Sequence, residues 1–297
     1  MGVLTAADGR IRLGWRLLVF VGATLLGASV LGMLLPTGIL SGATAILASS
    51  VLSGWWLLAM DARPVSALGF HAEASAPGEA LRGLTLGVAV GLVVVGVMAL
   101  LGGVRWNGQE GSVAAWFAGA AASLGFLVIP AAAEEALLRG YPLQALGETW
   151  GAGIAVVITS AVFGLLHLGN PGAGALSIVN VGVAGLFLGV VYVRTLSLWW
   201  ATGAHLGWNW AHGYLADVPV SGLELMDAPF YDGIASGPAW IGGGGFGPEG
   251  SLVATVVLLV VTAGLWWGPW LEPAAKALDA QPLLAGPTTR LHAKTGG

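Results

Sequence analysis

The chain has 297 residues, of which 56% are hydrophobic and only 9% charged, with a net charge of −4. Soluble domains carry about 25% charged residues, so a soluble globular protein is excluded and an integral membrane protein is expected. The absence of cysteine removes disulfides, a thiol nucleophile and any thiolate-held metal.

Arg10, Arg12 and Arg16 precede an apolar run from Leu17 to Leu35. A membrane span takes about 20 apolar residues, and no small-residue cleavage site follows the run. It therefore reads as a retained first helix rather than a signal peptide. Eight apolar runs, near 15–36, 39–60, 82–104, 114–146, 152–169, 173–193, 197–216 and 251–271, predict an all-α polytopic transmembrane helical bundle of about eight helices. The fourth run is too long for one upright span. A tilt is expected there, or a break near Pro130 or at Gly140 to Pro142, where proline removes a backbone hydrogen bond. The pairs Gly87/Gly91 and Gly185/Gly189 have the small-xxx-small spacing of close helix packing.

Between the runs, the polar link from Asp61 to Glu79 reads as a loop with a short surface helix. Segment 217–250 holds Asp217, Glu224, Asp227, Asp232 and Glu249, no lysine or arginine, and a glycine run at 242–245. An irregular, mobile loop is expected there, and a disordered polar tail after Glu272. The chain divides accordingly into 1–83, a core over 84–216, the acidic segment 217–250, and a last helix with its tail over 251–297. With the N-terminus cytoplasmic, eight spans put Arg10, Arg12, Arg16, Arg63, Arg82, Arg194, Lys276, Arg290 and Lys294 on the cytoplasmic side. Arg105 alone falls outside. That bias predicts a multi-pass cell-membrane protein with both termini cytoplasmic and the acidic segment facing out.

Charge inside the spans is the exception that needs a reason, because each buried charge costs roughly 2.5–3.5 kcal/mol at a helix centre. Glu134, Glu135 and Arg139 lie within the fourth run. Glu135 and Arg139 are four apart, on one helix face, in the favourable order for an ion pair. Glu134 is turned about 100° away. One carboxylate is thus expected to be neutralised and the other to face a cavity. Phe163 and His167, and His205 and Asn209, repeat the same spacing on later runs. Counting about 1.5 Å per residue from the expected cytoplasmic surface puts Glu134 and Asn209 about 18 Å deep, His167 about 22 Å and His205 about 12 Å. Three helices bring polar groups into one slab, read as lying between the bilayer middle and the cytoplasmic side.

Taken singly, each group has a plain structural role: ion pair, interhelical hydrogen bond or core ring. Together, a free carboxylate, two imidazoles and an amide form a proton-handling site. A glutamate can serve as general base toward water, histidine can orient or protonate, and a histidine with an asparagine one turn on can supply donors to an oxyanion. That is a hydrolase of carbonyl substrates. His167, His205 and Glu134 also form a candidate zinc set with an open position, although no H-E-x-x-H sequence is present. Phe163 is expected to wedge the His167 ring. His212 reads as an interface residue, and His71 and His292 are given no role.

The ordered set E-E-x-x-x-R at 134–139, F-x-x-x-H at 163–167 and H-x-x-x-N at 205–209 resembles the three motifs of the CPBP intramembrane proteases. That family groups CAAX prenyl endopeptidases with bacteriocin-processing and immunity proteins, and the similarity runs from about Leu84 to Leu215. The resemblance implies that Glu134 activates water, that His167 assists, and that His205 and Asn209 hold the oxyanion. Glu135 and Arg139 would support them. It leaves a metal-free glutamate mechanism and a zinc mechanism both open.

The expected function is an intramembrane endopeptidase, opening toward the cytoplasm, for membrane-associated or CAAX-type substrates. Its expected partners are membrane lipids and a peptide or protein substrate, not nucleic acid. A proton-coupled transporter and a non-catalytic immunity or scaffold protein on the same fold are the alternatives.

Overall fold

The structure is a computed structural model describing residues 4, 5, 9–273, 275–280 and 282–284. Arg290, His292 and Lys294 lie outside the described residues. The molecule is an all-α bundle. In chain order its helices are α1 Leu13–Leu34, α2 Ile39–Met60, α3 Ala76–Leu100, α4 Val113–Glu135, α5 Tyr141–Trp150, α6 Ala152–Leu166, α7 Ala175–Thr195, α8 Leu198–Trp210, the short α9 Ala239–Gly242, α10 Leu252–Trp267 and α11 Ala275–Asp279. Each of the eight apolar runs contains a helix. By length and composition, α1, α2, α3, the continuous 38-residue stretch Val113–Trp150 and α7 are long enough to cross a membrane, while α6 and α10 are shorter apolar helices.

The bundle turns its apolar side chains outward. Leu18, Leu25 and Leu26 of α1 and Val256 and Val260 of α10 are exposed, as lipid contact requires. Exposed tryptophans mark both ends of the bundle: Trp15, Trp55, Trp56, Trp150, Trp267 and Trp270 at one, Trp106 and Trp240 at the other. Indole rings favour the membrane–water interface.

The fourth run stays helical, with one break in its α-type hydrogen bonding. Pro130 lies inside α4 without ending it. The break is a π-helical turn, Ala136–Gly140, and Pro142 then sits in the first turn of α5, where a missing N–H is harmless. Glu134 and Glu135 close α4, and Arg139 lies in the π turn.

Helix α8 is fixed against α3 at backbone distance. A Cβ on Gly87 would lie 2.0 Å from the Ala204 carbonyl oxygen, and one on Gly207 would lie 2.2 Å from that of Leu84. Only glycine permits that approach. Ser197 caps α8 by accepting from the Trp200 N–H. Gly185 and Gly189 bring α7 against Ser160 and Val156 of α6 less tightly, a Cβ at either lying 3.0 Å from its nearest neighbour.

Segment 217–250 departs from the mobile loop expected of it. Its strand β2, Tyr231–Ala235, pairs antiparallel with β1, Val104–Gly108, from Val104 opposite Ala235 to Gly108 opposite Tyr231. Gly222, Gly243 and Gly247 take positive φ, which lets the backbone fold on itself, and Gly222 N–H donates to the Phe246 carbonyl. The link before α3 also differs. The helix begins at Ala76, not near 82, and His71 is buried and bonded to Glu79 at 3.1 Å. The tail expected to be disordered packs back as far as it is described: α11 forms, and the Leu283 N–H donates to Gln144 Oε1 of α5.

Candidate active site

The end of α4 and the π turn carry the centre. Glu135 is fully buried and accepts from Arg139 at 3.0 Å, forming the ion pair that the spacing predicts. The same oxygen, Oε1, accepts from His205 Nδ1 at 2.9 Å. Arg139 donates a second bond to the Gly185 carbonyl at 3.1 Å, so the charge that neutralises Glu135 is anchored on α7. Glu135 therefore orients His205 as well as pairing with Arg139.

That bond fixes the outcome for the other ring nitrogen. A carboxylate accepts, so Nδ1 of His205 carries the proton and Nε2 points away, 3.6 Å from Glu134 Oε2. Glu134 is 38% exposed at its side chain, unlike its neighbour. His167 caps the C-terminus of α6, and its Nδ1 donates to the Phe163 carbonyl at 2.8 Å, leaving Nε2 available. Phe163 does more than wedge one ring. It meets His167 edge-on at 4.8 Å, meets His205 at 5.8 Å, and lies under the Arg139 guanidinium at 4.6 Å, a cation–π arrangement.

Glu134, His167, His205 and Asn209 all line one cavity of about 510 Å³. Its walls are mainly apolar, with Phe126, Pro130, Leu137, Leu166 and Leu188 among them. Three further polar residues and a tryptophan line it that the sequence reasoning did not assign: Asn170, Ser221, Glu249 and Trp208. Asn170 stands three residues after His167, a spacing that a reading of the motif's continuation could have caught. Nothing in the order of residues signals that Glu249 folds back. The extra histidine, His212, is not at an interface: it is fully buried with its ring 4.3 Å from that of Trp208.

The cavity lies nearer the opposite end of the bundle from the one expected. It is lined by Ile39 and Gly42 at the start of α2, by Leu166 and His167 at the end of α6, and by Val220, Ser221 and Leu223 of segment 217–250. The end of α2, with Asp61 bonded to Arg10, is at the other extreme. The cause is helix length. Helix α6 has only 15 residues, so a count of about 22 Å along it passes the middle of an apolar core about 30 Å thick.

The candidate zinc set does not close. Tetrahedral zinc holds its ligands at about 2.0–2.3 Å, yet Glu134, His167 and His205 do not bring one ligand atom each within 4.8 Å of one another. Among the described residues only Asp217, Asp227 and Asp232 do so. The acidic trio lies in segment 217–250, where burial pushes the Asp217 carboxyl up, the N–H groups of Ala228 and Gly233 oppose that, and the neighbouring Asp227 and Asp232 add to it.

Helices long and apolar enough to cross a membrane surround a cavity lined by a carboxylate, two imidazoles and an amide, the build of a multi-pass membrane protein. Residues 114–211 match the family model described as type II CAAX prenyl endopeptidase Rce1-like. The match agrees with the CPBP resemblance, supports an intramembrane endopeptidase, and covers Glu134, Glu135, Arg139, Phe163, His167, His205 and Asn209 but not Ser221 or Glu249. No curated protein and no solved structure matches the chain.

Proposed function

We propose that this protein hydrolyses peptide bonds within membrane-associated chains, using a water activated by Glu134. The observation that carries this reading is the facing of Glu134 Oε2 and His205 Nε2 across 3.6 Å inside the cavity. With Nδ1–H given to Glu135, Nε2 presents a lone pair to a carboxylate. Two acceptors at that separation need a shared proton or a bridging water between them. A water held there loses its proton to Glu134 as its oxygen attacks the scissile carbonyl. His167, its Nε2 free, lines the same space and is suited to orient the water and to return the proton to the leaving amine. Asn209 supplies an N–H donor to the developing oxyanion. The mechanism routes no step through a metal, because the donors as placed do not fit zinc.

The charge distribution supports cytoplasmic termini. Arg10, Arg12, Arg16, Arg63 and Arg194 gather at the end marked by Trp15, Trp56 and Trp267, and Arg105 lies at the other. With that orientation the cavity opens on the side of segment 217–250, and substrates of CAAX type are one class among membrane-associated chains. A reporter fused after Lys294 is expected to read cytoplasmic.

The direct test uses purified protein and a peptide library. Glu134→Gln is expected to lower kcat by about 10²–10⁴-fold, the range of a general base, with wild-type cleavage unchanged by chelator and no stoichiometric metal bound. Full activity in Glu134→Gln would end this reading; loss of wild-type activity on chelation would end its metal-free form.

A further inference from the structure

Glu249 stands in the cavity wall outside the segment that matches the family model. It belongs to the turn Pro248–Gly250 ahead of α10. Asn180 of α7 pins that turn by donating to the carbonyls of Glu249 and Ser251, at 2.8 and 2.7 Å. The carboxylate is only 4% exposed and accepts from Trp208 Nε1 at 2.9 Å and from Ser221 Oγ at 2.5 Å. Both donors are neutral. Each carboxylate oxygen keeps an unused lone pair.

A buried carboxylate is costly without a counter-charge. Among the described residues, no lysine, arginine or histidine is within ion-pair distance of Glu249, and no lysine or arginine lines the cavity. His212, whose charge Glu249 would feel, packs against the Trp208 ring outside the cavity lining. Arg139 sits behind Glu135, away from that surface. The surroundings sharpen the sign. Asp217, Glu224, Asp227 and Asp232 line a second cavity of about 530 Å³, and Leu225 lines both. Positive charge approaching through this second cavity passes four carboxylates and no lining lysine or arginine, which raises its local concentration.

We propose that Glu249 is a specificity-determining residue that accepts a cationic side chain, lysine or arginine, of the peptide substrate. This rests on the endopeptidase reading. Trp208 stands beside Asn209 and nearly one turn beyond His205, so the carboxylate it holds is placed on the wall that also carries the catalytic imidazole and the Asn209 amide. A lysine a few residues from the scissile bond supplies the counter-ion that the fold omits. Its ammonium donates to the free lone pairs while Trp208 and Ser221 stay bonded.

The test compares acetylated, amidated peptides that are identical except at one position, scanned along both sides of the cut and occupied by lysine, norleucine or glutamate. The wild type is expected to show, at one position, a kcat/KM for lysine at least about tenfold above norleucine, the scale of a hydrogen bond to a charged group, with glutamate lowest. In Glu249→Gln the lysine-to-norleucine ratio falls toward one, and in Glu249→Lys the order turns toward glutamate. The ratio is internal to each variant, so a general loss of activity does not imitate the effect. Where the amide variant does not fold, Glu249→Asp draws the charge back by one methylene, and preference moves from lysine to the longer homoarginine. A wild-type ratio near one at every position, or an undiminished ratio in Glu249→Gln, overturns the proposal. Failure of the protease reading looks different: the wild type cuts no peptide, or Glu134→Gln cuts as fast, and the proposal then falls with it.

Discussion

Two charged clusters sit at opposite ends of this bundle and are built on different principles. At the N-terminal end, Arg10 bonds to Asp61 at 2.6 Å and to Glu148 at 2.7 Å, while Arg16 reaches Asp61 at 3.2 Å, Glu148 at 2.9 Å and the Tyr141 hydroxyl at 2.6 Å. Two cations meet two anions, and α1, α2 and α5 are tied together. At the cavity, Glu134 and Glu249 line the wall while Glu135 lies behind it, and of these three carboxylates only Glu135 is ion-paired with Arg139. The first cluster closes its charges against one another. The second leaves acceptors of Glu134, His205 and Glu249 facing open space. The same residue types thus serve cohesion where they are matched and chemistry where they are not.

The contrast can be broken first within the adjacent pair. Glu135→Ala strips the buried partner from Arg139 and the orienting acceptor from His205. Removing one member of a buried pair costs about 3–5 kcal/mol, so its thermal unfolding is expected to occur far below that of the wild type, with activity lost as well. Glu134→Gln, one residue away and part-exposed, is expected to melt within a few degrees of wild type while losing activity by about 10²–10⁴-fold. Equal melting points for the two variants would erase the distinction. A smaller effect is expected from Asn209→Ala, about 10²–10³-fold in kcat with KM little changed, as for loss of one oxyanion donor. A change confined to KM would make Asn209 a binding residue instead.

Much of the second cluster is legible in the sequence because it obeys helical arithmetic. Glu135 with Arg139 and Phe163 with His167 are four apart within one helical stretch, so their contacts follow from local geometry alone. The bond from His205 to Glu135 joins residues 70 apart and depends on the glycines that bring α8 against α3; spacing cannot give it. Glu249 was illegible for a further reason. Its segment has no periodicity, and the glycines that make it look irregular are what let it fold tightly over the cavity. The side on which the cavity opens depends on helix length: α6 has only 15 residues, so His167 at its C-terminus comes out at the end of the bundle away from Asp61.

The first cluster offers the mildest perturbation. Burial alone would raise the Asp61 carboxyl, but the hydrogen bond from Arg10 and the charge of Arg16 outweigh it and hold that carboxyl below its ordinary range. A group whose folded pKa is depressed stabilises the fold fully above its unfolded value, about 3.9, and loses that contribution as pH falls through the folded value. Thermal stability in detergent is therefore expected to be flat from neutrality to about pH 5 with respect to this group, then to decline below about pH 4. Asp61→Asn should start from a lower melting point and lack that part of the acid decline, while its lysine-to-norleucine cleavage ratio stays that of wild type, because the network shares no residue with the cavity. An Asp61→Asn variant whose cleavage ratio shifted would mean that the two ends communicate through α5 and the π turn, and the division of labour between the clusters would have to be abandoned.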